Sequence, residues 1–122
     1  MKIHENFKKR MISKPWGREI IWGETEDYVG KVICINRGHR LSRQYHKVKE
    51  ETIMVLSGTL LLEVGTGDDI ESFDLKRGDN FHVTPGLVHR FRAPYGDVEI
   101  VEVSTPHLDD VVRLEDDYKR EE

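Results

Sequence analysis

Two histidines and two oxygen-bearing side chains stand at spacings that suit a single divalent cation. Gln44 and His46 are two positions apart, Glu51 follows five positions after His46, and His89 lies downstream behind Thr84, Pro85 and Gly86. Imidazole nitrogens, a carboxylate oxygen and an amide oxygen are donors that a divalent transition metal accepts. Residues i and i+2 of a β-strand share a face, so Gln44 and His46 can aim at one point. The charged stretch 47–50 suits a turn, and Glu51 can then open a returning strand toward the same place. Thr84, Pro85 and Gly86 are turn formers, so His89 should begin a strand of its own. Glutamine is a weaker, neutral donor than histidine. The set favours Zn2+, with Mn2+, Fe2+, Co2+ and Ni2+ also compatible.

Chemistry beyond the ligands needs an acid or base and, for an anionic substrate, cations. Glu102 shares strand parity with Val98 and Ile100 and is one candidate base; His82, alternating with Phe81 and Val83, is another. Candidate cations are Lys14, Arg90, Arg113, Lys119 and Arg120. Trp16, Trp22 and Cys34 read as packing residues, and His4, His39 and His107 as surface residues.

The elements that must position these groups are short and β-rich. No segment sustains apolar residues at helical spacing for three turns. Strands are predicted at about 19–22, 28–36, 41–46, 51–57, 59–64, 71–75, 80–84, 87–93 and 97–104. Ser57 and Gly58 read as a tight hairpin, and residues 65–69 as a looser one. Residues 108–122, dense in both charges, read as a short helix or extended arm. Many short strands with frequent turns predict an all-β sandwich or closed barrel.

The two glycine-punctuated segments resemble the paired motifs of the cupin superfamily. Gly38, His46, Glu51, Gly58, Gly78, Gly86 and His89 fall where that family has them. Gln44 stands at the first histidine position, and proline is one place late, at Pro85. With Leu41, Ser42, Arg43 and Gln44 leading into His46, the chain resembles the C-terminal isomerase domain of type II phosphomannose isomerases. Lys14 to Gly17, Val88 to Arg90, Glu99 to Val103 and Asp110 to Tyr118 extend the likeness over about 14–120. The resemblance implies a double-stranded β-helix, or jelly roll, with metal ligands Gln44, His46, Glu51 and His89. It further implies an active-site role for Arg43, gives more weight to Lys14 and Arg113 as phosphate contacts, and suggests a homodimer.

Composition bounds the rest. The 122 residues make one domain, 1–122, and 37% hydrophobic with 34% charged residues suits a compact fold. A net charge of −4 argues against general affinity for nucleic acid or anionic membrane. There is no transmembrane-length apolar run, and the first ten residues lack the apolar stretch of a secretion signal. Cys34 is the sole cysteine, and a reducing cytoplasm is the simplest compartment.

The resulting expectation is a metal-dependent aldose–ketose isomerase acting on a hexose phosphate, mannose 6-phosphate to fructose 6-phosphate. Two alternatives stay open: a non-catalytic metal-containing cupin that binds a sugar or sugar nucleotide, and a non-haem iron dioxygenase. Gln44 speaks against the latter, because a fourth ligand would occupy a position that oxygen and substrate need.

Overall fold

The computed structural model describes Asn6 and residues 8–120. Eleven strands run in chain order: β1 (Arg10–Lys14), β2 (Gly17–Glu24), β3 (Val29–Ile35), β4 (Arg43–Tyr45), β5 (Glu51–Ser57), β6 (Leu60–Val64), β7 (Glu71–Leu75), β8 (Asn80–Val83), β9 (His89–Arg92), β10 (Val98–Ser104) and β11 (Val112–Glu115). They form two antiparallel sheets, one ordered β1-β2-β3-β10-β5-β8 and the other β11-β4-β9-β6-β7. This is the jelly roll that the strand pattern and the resemblance imply.

Alternation explains the sandwich. In β5, Glu51, Ile53 and Val55 are buried while Thr52, Met54 and Leu56 are exposed; β10 buries Val98, Ile100, Glu102 and Ser104 in the same way. Inward residues Ile33, Ile35, Ile53, Val55 and Ile100 from one sheet meet Leu60, Leu62 and Phe91 from the other, with Trp16 and Leu41 completing the core. Fully burying a side chain of this size contributes roughly 1.5–3 kcal/mol. The core fills one half of the sandwich and leaves the other half to polar groups.

One expectation is corrected, one strand is added and one open alternative is decided. Ser57 and Gly58 do not close a hairpin, because β5 pairs with β10 and β8 whereas β6 pairs with β7 and β9. The turn carries the chain from one sheet to the other. Gly58 takes φ +77°, and a Cβ there would lie 2.2 Å from the Asp97 carbonyl oxygen, so only glycine fits. Next, β1 lay outside the sequence reading. It folds onto β2 through Pro15 and Trp16, with Lys14 opposite Gly17. Finally, of the short helix and the extended arm expected for the charged stretch 108–122, the arm is what forms through residue 120, with 121–122 outside the described residues, and it adds β11 to the edge of the second sheet beside β4. Its carboxylates meet arginines: Glu115 pairs with Arg43 and Arg90, and Asp117 with Arg40 and Arg90.

Register brings the polar groups together. Directly opposed residues of an antiparallel pair point to the same face. Arg113, Gln44 and His89 are successive partners across β11, β4 and β9 and form one row. On the facing sheet, Lys31 of β3 pairs with Glu102 of β10, and Glu51 of β5 pairs with Ser104 of β10.

Candidate metal centre

His46, Glu51 and His89 converge, with one donor atom from each lying within 4.8 Å of the others. His46 Nε2 is 2.9 Å and His89 Nε2 3.6 Å from Glu51 Oε1. Donors held about 2.0–2.2 Å from a common cation stand roughly 3–3.5 Å apart, so these spacings suit one ion. All three residues are buried.

The rings are oriented by main-chain carbonyls on their far sides. His46 Nδ1 lies 2.6 Å from the Asp110 carbonyl oxygen, and His89 Nδ1 lies 2.9 Å from that of Leu87. Each carbonyl takes an N–H from its ring and leaves the Nε2 lone pair aimed at Glu51, as metal-binding imidazoles require. The fit to a cation rests on two features. His89 Nε2 is buried with no hydrogen-bond partner among the described residues. His46 has an acceptor at each ring nitrogen, whereas a neutral imidazole carries one N–H. A cation between the two rings and the carboxylate satisfies both.

Gln44 is half-buried, shares its row with His89, and its Oε1 accepts a 2.8 Å hydrogen bond from Ser42 Oγ. It opens with His46 onto a cavity of about 480 Å³. Lys14, Trp16, Glu19, Lys31, Lys49 and Arg113 line the same cavity. Two of the residues read as phosphate contacts, Lys14 and Arg113, therefore reach the space beside the triad. Arg120 also lines it but pairs with Asp116 at 2.9 Å.

Arg43 does not come to this cavity. As the alternation of β4 demands, its side chain leaves on the side away from Gln44. Its guanidinium donates to Glu63 Oε1 at 2.7 Å, to Glu115 Oε1 at 3.2 Å and to the Gly65 carbonyl at 3.3 Å. Arg90 is likewise taken up, by the Leu41 carbonyl at 2.8 Å and by Glu115 and Asp117. His82 is exposed on the outer face, 2.6 Å from Glu50 Oε2.

Glu102 points inward as its parity predicts, but it lies behind the cavity wall. It is 2% exposed, and Lys31 and Lys49, which do line the cavity, stand against its carboxylate. Its Oε2 is 3.3 Å from Lys49 Nζ and 3.6 Å from Lys31 Nζ. Burial, and then the neighbouring Glu51 charge, push its pKa up to about 8. Burial would also raise Glu51, but hydrogen bonds from Glu102 and His46, with the Lys49 charge, outweigh it and hold Glu51 well below the usual carboxylate range. Burial lowers His89 below its ordinary value against the opposing charge of Glu51, which favours the neutral, metal-binding ring. For Lys31, burial works against the charge, yet Glu102 and Glu19 carry its pKa above the ordinary lysine value.

Lys31, Lys49, Glu19 and Asp110 escaped the sequence reading. A signal existed for Lys31, a lone charge at the inward parity of the apolar run Val29–Ile35. Lys49 and Asp110 left none, because their positions depend on contacts between distant segments.

No helix among the described residues is long and apolar enough to cross a membrane. XanB, a xanthan biosynthesis protein of Xanthomonas campestris pv. campestris, is 31% identical over 115 residues, covering 91% of this chain and 24% of that protein. A mannose-1-phosphate guanylyltransferase of Salmonella muenchen is 27% identical over 116 residues, covering 92% of this chain and 24% of its own length. The chain thus spans about a quarter of the length of the curated relatives it matches. Among solved structures, the capsular polysaccharide assembling protein CapF from Staphylococcus aureus superposes with a TM-score of 0.77 at 18% identity, over 88% of this chain and 34% of CapF. That likeness is one of fold. The relatives are sugar-processing proteins, in agreement with the resemblance read from the motifs. The Cupin domain model matches residues 31–104, more than half the chain and both motif segments, and this chain belongs to the cupin family.

Proposed function

We propose that this cupin is a metal-dependent aldose–ketose isomerase acting on a hexose phosphate, with mannose 6-phosphate and fructose 6-phosphate as the interconverted pair. The observation that carries the reading is the buried triad of His46, Glu51 and His89, of which His46 lines a cation-rich cavity. Among the described residues, Arg10, Lys14, Lys31, Lys49, Arg113 and Arg120 line that cavity against Glu19, Glu24 and Asp109. Such an excess suits a phosphate dianion. In this reading Lys14, which has no ion-pair partner among the described residues, and Arg113, both lining the cavity, take the phosphate. Gln44, His46, Glu51 and His89 would hold a divalent ion, Zn2+ by their chemistry, which would polarise the sugar carbonyl. The isomerisation moves one proton from C2 to C1 of the open-chain sugar and a second from O2 to O1, so the C1 aldehyde becomes an alcohol and the C2 alcohol a ketone. The test is a coupled assay of metal-loaded protein on a panel of hexose and pentose phosphates. Turnover of mannose 6-phosphate that follows metal content supports the reading. No turnover with any of them, while His46→Ala lowers metal content, removes the isomerase and leaves the metal centre.

A second reading, a non-catalytic cupin that binds a sugar or sugar nucleotide, draws on relatives that include mannose-1-phosphate guanylyltransferases. Sugar-phosphate binding without exchange of the C2 proton into D2O would select it.

We further propose a homodimer formed through the outer face of the six-stranded sheet. Met11, Ile20, Val32, Val101 and Met54 are successive cross-strand partners in one apolar row. Trp22, Val103 and Leu56 are exposed on the same sheet. At ~4.8 Å per strand the face is roughly 24 Å wide, of the order needed for the ~800 Å² that each partner buries in a stable dimer.

A further inference from the structure

We infer that Lys49 is the cation that meets the substrate's developing oxyanion beside the metal triad, with Glu102 and Lys31 as the buried array that holds its ammonium there. This rests on the metal-centre and sugar-phosphate readings above.

Residues 47, 48 and 50 of the turn are exposed, and Lys49 alone is buried, at 5%. Asp110 imposes this shape: its carboxylate accepts the main-chain N–H of Lys47, Val48 and Lys49 at 3.0, 2.7 and 2.8 Å. The turned-in side chain lines the cavity and ends 3.8 Å from Glu51 Oε2, while the other oxygen of Glu51 faces both imidazoles. Among the described residues, Lys49 is therefore a cavity-lining cation within ion-pair distance of a triad residue.

Arginine and lysine ion pairs in this protein run from 2.7 Å, for Arg43 to Glu63 and Arg40 to Asp117, to 3.3 Å or more, for Arg90 to Glu115 and Lys31 to Glu19 and Glu102, and those of Lys49 lie at the long end. Lys49 stands at 3.3 Å from Glu102 and 3.8 Å from Glu51, and Glu102 Oε2 has no hydrogen-bond partner among the described residues. A buried ammonium carries three N–H donors and is costly to leave poorly bonded. Here the Glu51 carboxylate, with the buried carboxyl of Glu102 beside it, holds the ammonium in place without taking its hydrogen bonds. The donors remain for a third acceptor, and the space they adjoin is the cavity. An enediolate forming beside the triad spreads negative charge over two adjacent oxygens. A fixed cation in a water-poor site stabilises that charge more than it stabilises the neutral carbonyl that precedes it. Glu102, behind the wall, acts through Lys49 as a positioning residue.

The experiment compares wild type with Lys49→Met and Lys49→Arg, all metal-loaded. Metal content, kcat and KM for mannose 6-phosphate are measured, together with the affinity for the hydroxamate of a five-carbon aldonic acid 5-phosphate, a planar anionic mimic of the enediolate. Lys49→Met is expected to keep its metal within twofold, to lose kcat by about 10²–10³-fold with KM changed less than threefold, and to lose hydroxamate affinity in parallel. Lys49→Arg should recover part of both. Metal loss in step with activity, or unchanged kcat and hydroxamate affinity, overturns the inference. Where Lys49→Met does not fold, Lys49→Gln, uncharged but of similar length, is read on the same measurements. If wild type does not turn over, the isomerase reading fails separately and the hydroxamate decides. Lys49-dependent binding upholds the inference, and Lys49-independent or absent binding overturns it.

Discussion

The imidazole of His46 is held from behind by the main chain of Asp110, whose carbonyl oxygen lies 2.6 Å from Nδ1. The same residue caps the turn after His46 with its side chain, so one residue of the C-terminal arm orients an imidazole of the candidate metal centre and shapes the loop carrying Lys49. The arm is thus part of the site, although its contacts with it lie more than sixty residues apart in the chain.

Replacing Asp110 with alanine leaves three main-chain N–H groups without their acceptor. Stability should fall by about 2 kcal/mol and metal affinity by ~10–100-fold, read by denaturant titration and metal competition. Hydrogen bonds from the main chain of Lys49, Lys47 and Val48 lower the Asp110 pKa from 3.8 to about 2. The folded value is depressed, so this stabilisation is complete above pH 3.8 and disappears as pH falls through about 2. Thermal melts of Asp110→Asn should lack the acid-side loss that wild type shows over that window.

Removing a triad ligand should abolish stoichiometric metal without unfolding the chain. His89→Ala and Glu51→Gln are expected to lose bound Zn2+ on dialysis while keeping a β-rich circular dichroism spectrum. In wild type, Zn2+ at one hundred times its dissociation constant should stabilise the fold by ~2.7 kcal/mol, and a chelator should reverse the gain. An equal gain in both variants would place the metal elsewhere.

Glu102 makes the opposite pH prediction to Asp110. Its folded pKa of about 8 lies above the ordinary 4.5, so the folded state keeps a proton that the unfolded state has lost. Stability of metal-free protein should therefore decline as pH rises from about 4.5 to about 8. Glu102→Gln, neutral throughout, should flatten that decline in urea titrations across the range. An unchanged slope would mean that another group carries it.

The outer-face dimer is checked by light scattering. Met54→Glu combined with Val103→Glu places two charges on the apolar face and should shift the protein to monomer at micromolar concentration, with metal content unchanged. A wild-type monomer under the same conditions would refute the interface.

Strand alternation and turn residues were enough to place most strands, because burial on one face imposes a period of two that the residue order displays directly. The spacing from Gln44 through Glu51 and the position of His89 likewise identified the triad, since fixed ligand offsets encode where side chains point. Tertiary structure decided what alternation cannot. Gly58 passes the chain between sheets because the Asp97 carbonyl fills the space beside it, a contact from a distant segment. Arg43 is turned outward by its parity and captured by Glu63 and Glu115, while Lys49, in a turn with no periodicity, is turned inward by Asp110. Glu102 faces the interior as its parity requires, yet lysines from two other segments stand between it and the cavity. Residue order determines which side of a strand a group occupies. Which distant partner meets it there, and so whether it touches a ligand or only holds a neighbour, depends on packing between segments far apart in the chain.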